Sequence, residues 1–246
     1  MVNSTRSTSF SPAAACCLAL FLTAGIANAS DRSDEDRARD VHRKPVEVLE
    51  FLGLKPGDTV VDIWAAGGWY TEVLSNAVGD DGRVYSQNPP SVLQFRDGVH
   101  DRTLTARLAD GRLGNVERIN VVLAESSIEK SSVDLAITAL NFHDVYNKNG
   151  EEAAVVFMAS VYAVLRPGGV FAVIDHVGNA CADNTSIHRI DPELAKVAAI
   201  SAGFVVEAEG DVLSHPEDDH TKKVFDPTIR GETDRFILKL RKPDAE

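Results

Sequence analysis

The chain of 246 residues is 44% hydrophobic, enough for one sizeable core, and carries 37 acidic against 25 basic side chains for a net charge of −12. So acidic a surface repels nucleic acid and anionic lipid, which excludes both as expected partners. Of the three cysteines, Cys16 and Cys17 lie in the first segment and Cys181 alone remains beyond it, so no internal disulfide is expected.

That first segment reads as a secretory signal. "MVNSTRSTSFSP" holds a single charge, Arg6, the apolar run "AAACCLALFLTAGIA" follows, and Ala27-Asn28-Ala29 supplies a small-residue cleavage site. The run falls short of the roughly 20 residues that span a bilayer, so the expectation is cleavage before Ser30 without stable membrane insertion, in a periplasmic or secreted protein. Removing Arg6 takes the net charge from −12 to −13. Three segments are expected: a signal peptide over 1–29, an N-terminal helical extension over 30–56 and one domain over 57–246.

"DRSDEDRARD" mixes both signs without an apolar stripe, which suits a solvated linker or a first helix. From Pro45, helical spacing of apolar residues predicts a short amphipathic helix. A "KPGD" turn precedes an apolar run over 59–64, a strand buried on both faces, and 69–78 reads as a helix stopped by Gly79. "RVYS" is a second strand, residues 91–108 are helical, and "INVVLAE" is a third strand. "VDLAITAL" is the fourth strand, 151–165 a long helix, "VFAVIDH" the fifth strand, 192–202 a helix, "FVVEAE" the sixth strand and "DRFILKLRK" the seventh. Strands alternating with helices predict an α/β fold with a doubly wound, mostly parallel sheet. The connections 177–191 and 210–233 are too long for turns and read as lids or unstructured segments at the ligand edge of the sheet.

The order of motifs then matters. "LKPGD" before the first strand, an acidic residue six positions ahead of Gly68, "LRPGG" before the fifth strand and "AGF" before the sixth resemble the class I S-adenosylmethionine-dependent methyltransferases, over about residues 54–242. "WAAGGWYTE", "NFHD", "DH", "HRID" and "RGETDRF" are similar, more narrowly, to exported bacterial proteins described as predicted methyltransferases. The resemblance implies a Rossmann-like sheet of seven strands whose last is antiparallel, and S-adenosyl-L-methionine as cofactor. It lays the methionine part over Asp62, Trp64, Ala66, Gly67 and Gly68, where the family pattern has glycines at 64, 66 and 68. Trp64 and Ala66 depart from it. Glycine there permits unusual dihedrals and close approach, so either the small-residue run still serves or Trp64 fills the pocket. The ribose acid at the end of the second strand is replaced by Gln87 and Asn88, of which Asn88 can still donate and accept. Glu125 stands at the adenine end, or else is a carboxylate at a helix start.

Five histidines gather on one sheet edge: His143, His176, His188, His215 and His220, with Asp144, Asp175 and Asp191. A histidine beside an aspartate suits removal of a proton from a methyl acceptor, which selects His143 as base with Asp144, Asp175 and His176 around it. The same residues also suit helix caps and satisfied polar contacts at strand ends. They offer mixed nitrogen and oxygen donors, yet no spacing is a recognised metal signature, and no metal is expected. Arg230 and Arg235 suit a clamp on an anionic substrate or a surface pair around Gly231. A small-molecule methyltransferase is therefore the leading expectation, an exported ligand-binding protein that has lost cofactor use the alternative. A nicotinamide oxidoreductase would need a Gly-x-Gly-x-x-Gly turn that is not in the sequence.

Overall fold

The computed structural model describes residues 32–244; the signal segment lies outside them. Seven strands form one sheet: β1 Thr59–Ile63, β2 Arg83–Gln87, β3 Val116–Ile119, β4 Val133–Ala139, β5 Leu165–His176, β6 Val205–Gly210 and β7 Arg235–Arg241. Their order is β3-β2-β1-β4-β5-β7-β6, with β7 antiparallel to both neighbours. The antiparallel last strand of the seven-stranded α/β sheet is thus in place. The helices are α1 Asp34–Arg43, α2 Pro45–Leu52, α3 Trp69–Val78, α4 Pro90–Leu93, α5 Phe95–Arg107, α6 Phe142–Val164 and α7 Pro192–Ser201.

Alternation along β1 shows how the sequence builds two layers. Val61 and Ile63 join the core under α6 and α7, while Val60 joins the one under α2 and α3. Strands buried on both faces explain why β1, β4 and β5 are mostly apolar. The mixed-sign segment forms α1, started by a Ser33 hydroxyl that accepts from the Asp36 N–H at 3.1 Å.

Three expectations are corrected. The third strand is Val116–Ile119, in register with β2 from Val84, whereas Val121 and Val122 are exposed and Leu123–Glu125 is a single 3-10 turn. Pairing set the strand, and the apolar run behind it lies on the surface. The long helix begins at Phe142 and bends at Gly150, whose φ of 82° takes it out of the helical region. The connections 177–191 and 210–233 are ordered: the fully buried Arg189 pairs with Asp218 at 2.9 Å and donates to the Val177 and Lys222 carbonyls, and Asp218 accepts from the Asp234 N–H. A buried cation thus braces the two long loops to each other, and the Val224 N–H to Ile187 carbonyl bond joins them as well.

Candidate functional site

β4 and β5 lie side by side, so the residues just past Ala139 meet the end of β5. There Asp175, fully buried, accepts three hydrogen bonds. Oδ2 takes the His143 N–H at 2.7 Å, and Oδ1 takes the His176 N–H and the His143 ring Nδ1, both at 2.8 Å. The carboxylate therefore caps the start of α6 from the neighbouring strand and fixes the His143 ring in the same stroke. A carboxylate only accepts, so in the neutral ring Nδ1 carries the proton and Nε2 the lone pair. Burial alone would lower the His143 pKa, but the charge and hydrogen bond of Asp175 outweigh it and hold the ring above its ordinary value. Burial likewise pushes Asp175 up, and its imidazole partner more than reverses that.

His143 Nε2 lies 3.7 Å from Asp144 Oδ1, and His188 Nδ1 reaches the same oxygen at 3.8 Å. Sequence reasoning set His188 among the edge histidines without a role. Its ring stands edge-on to His143 at 5.6 Å, and burial together with the His143 charge lowers its pKa. His176 is different: burial, aided by Arg235, drives its pKa down to about 3 against the pull of Asp175, and its Nδ1 shares a 2.8 Å hydrogen bond with the Thr233 hydroxyl. It is a neutral tie between β5 and the segment before β7. His215 and His220 lie farther along the rim, the latter paired to Asp234 at 2.9 Å. Asp191 caps α7.

The loop after β1 answers the question raised by its missing glycines. Trp64 and Ala66 adopt φ of 54° and 50°, and Gly68 has 80°, so all three positions are left-handed although two carry side chains. Polar groups hold them there. Gln87 Oε1 accepts from the Trp64 N–H at 3.3 Å, and Asn88 Oδ1 from the Ala66 N–H at 2.8 Å. Asn88 Nδ2 donates back to the Ala66 carbonyl, and Asn141 Nδ2 donates to the Trp64 carbonyl at 3.1 Å. Asn88, expected on a ribose, is thus fully buried and occupied by the loop itself. The Trp64 ring packs edge-on to Phe157 of α6 at 6.1 Å. Gly67 and Gly68 admit α5: a Cβ on either would meet Thr103 Cγ2 at 2.8 Å or Leu104 Cδ1 at 2.7 Å. Glu125 is exposed and lies in the single 3-10 turn Leu123–Glu125.

Asp62 lies under this loop, bonded to the Thr71 hydroxyl at 2.7 Å, and burial pushes its pKa up to about 7 despite that bond and the nearby Arg43. Above it α1 crosses Trp69, whose indole donates to the Asp36 carbonyl at 3.2 Å. Arg43, at the end of α1, stacks 4.6 Å from the Trp69 ring and has no hydrogen bond or ion pair among the described residues. Burial lowers its pKa. Sequence reasoning missed Arg43, and nothing in "HRKP" marks it. Arg235 is no clamp: buried, it donates to the His42 and Gly231 carbonyls and joins α1 to β7.

No protein-family profile matches the chain. Over 185 residues it is 25% identical to the ubiquinone/menaquinone biosynthesis C-methyltransferase UbiE of Hydrogenovibrio crunogenus, covering 72% of this chain and 67% of that protein. The protein of the same name from Teredinibacter turnerae is 27% identical over 129 residues, 52% of this chain and less than half, 46%, of its own length. Among solved structures, a SAM-dependent methyltransferase from Aquifex aeolicus superposes with a TM-score of 0.60 at 20% identity, covering 86% of this chain and 100% of that one.

Proposed function

We propose that the chain, whose fold is that of the class I S-adenosylmethionine-dependent methyltransferases, transfers a methyl group from this cofactor to a small-molecule acceptor seated against His143, in an exported protein. The observation that carries the chemistry is the His143–Asp175 pair at the carboxyl edge of the sheet. The residues present also fit the cofactor. Left-handed dihedrals persist at 64, 66 and 68, α3 starts at a glycine that offers no side-chain cap, and Arg43 offers a half-buried cation with no ion pair among the described residues. The positive end of a helix and a guanidinium without an ion pair among the described residues suit a carboxylate. In this reading Arg43 and the start of α3 hold the methionine carboxylate, residues 62–68 line the methionine, and Glu125 faces the adenine end.

When bound, the cofactor supplies a methyl group already activated by its sulfonium. The protein's own task is alignment and proton removal. His143 Nε2 takes the acceptor's proton, Asp175 keeps the ring in that tautomer and stabilises the cation formed, and neutral His176 holds the strand end. A hydroxyl, a primary or secondary amine, or an acidic C–H each loses a proton on methylation; the relatives are named C-methyltransferases. Calorimetric titration of S-adenosylhomocysteine is expected to give micromolar binding, about 8 kcal/mol, in the wild type and in His143→Ala, with turnover lost only in the variant. Wild-type turnover in His143→Ala would remove the base from this account.

A second reading, a ligand-binding protein without cofactor use, is favoured by one observation. The N–H groups of residues 64, 65, 66 and 68 are all spent within the protein. Absence of any heat with S-adenosylhomocysteine selects it. Export rests on the leader residues: the intact mass of the chain recovered from a secreting host is expected to start at Ser30, and an unprocessed mass would refute it.

A further inference from the structure

We propose that His143, Asp144 and His188 form a binding site for a divalent first-row transition-metal ion at the mouth of the edge. One ligand atom from each of the three lies within 4.8 Å of the others, with His143 Nε2 and His188 Nδ1 at 3.7 and 3.8 Å from Asp144 Oδ1. Ligand atoms bound at about 2.1 Å from a common ion sit roughly 3 to 3.5 Å apart, so a small rotation of each side chain closes the set. Two imidazoles and one carboxylate are a donor set for zinc, cobalt, iron or manganese, and three protein ligands leave positions open.

The surroundings are those of a built site. Asp175 grips the far nitrogen of His143 at 2.8 Å and aims Nε2 at the cluster, the carboxylate behind a ligating histidine that strengthens it as a donor. Among the described residues the His188 ring makes no hydrogen bond; it lies against Phe225 at 5.0 Å and is held in a left-handed backbone at φ 58°. That segment is fixed by the next residue, the buried Arg189. Lys148 Nζ, 3.1 Å from Asp144 Oδ1, competes for that carboxylate but is mostly exposed, and Lys223 is a second cation near His188. The ligands come from α6 and from a distant loop, which is why no sequence spacing announced them.

The site stands independently of methyl transfer, but it shares an atom with that reading: an ion on His143 Nε2 occupies the lone pair that would take the proton. The test is titration of Co²⁺ into the tag-free full chain, followed by calorimetry and by the visible absorption of nitrogen-ligated cobalt. One ion per chain is expected. His188→Asn, which tolerates the left-handed backbone, and Asp144→Asn are each expected to weaken binding at least about tenfold, with circular dichroism unchanged. The absence of one-to-one binding, or equal affinity in the wild type and both variants, overturns the proposal. Neither outcome depends on S-adenosylhomocysteine binding, so the two readings fail separately.

Discussion

Ala66 and Asp62 hold the loop after β1 at some cost, and both costs are measurable. An L-residue in the left-handed region is disfavoured by about 1 kcal/mol, and Ala66 sits there at φ 50°. Ala66→Gly relieves that strain while paying glycine's larger backbone entropy, so a urea titration is expected to show stability unchanged or raised by up to about 1 kcal/mol. A clear loss would mean that the methyl group is packed and the strain absent. Asp62 titrates near 7 when folded and near 3.8 when unfolded. Between those values the folded chain keeps a proton that the unfolded chain has lost, so this group's contribution is full below about pH 4 and lost as pH rises through about 7. The stability of the wild type relative to Asp62→Asn is therefore expected to fall from about pH 4 to about pH 8. A difference that stays flat with pH would show that the carboxyl is ionised throughout.

At the scale of elements, α1 is attached in an unusual way. It contributes no apolar residue to either core, and its one buried residue is Asp36. Polar contacts hold it: Asp36 to Arg107 at 2.8 Å, the Trp69 indole to the Asp36 carbonyl, and Arg235 to the His42 carbonyl. Below it, buried Glu72 pairs with Arg107 and Arg112, tying α3 to α5. Folding and the proposed cofactor contact of Arg43 are therefore expected to separate. A chain begun at Lys44 is expected to unfold cooperatively, yet to bind S-adenosylhomocysteine at least about tenfold more weakly, since α1 brings Arg43 to the loop. Unchanged affinity in the shortened chain would remove Arg43 and α1 from the cofactor reading.

For the molecule as a whole, what the sequence made legible follows the range of the interaction. The sheet's alternation, the helix over 69–78 and the edge that gathers His143 and Asp175 depend on local periodicity and strand order, and each is visible in the chain. β3 was misplaced because Val121 and Val122 look like strand interior, while register with β2 selects Val116–Ile119. The start of α6 was missed because Gly150 interrupts the helical pattern. The roles of Asn88, Arg43, His188 and Arg189 were not legible at all: each is set by a partner far along the chain, as when Arg189 meets Asp218.

That last pair also bears on how such a rim can change over evolutionary time. Removing one partner of a buried ion pair costs about 3–5 kcal/mol, a large part of a domain's stability. Residues 177–191 and 210–233 share this brace along with the Val224 N–H to Ile187 carbonyl bond and the Asn179 contacts, so an insertion or deletion that shifts either loop also disturbs the other. Descendants of this chain have a cheaper route to new acceptors in exchanging exposed side chains on a rim of fixed length than in lengthening or trimming its loops.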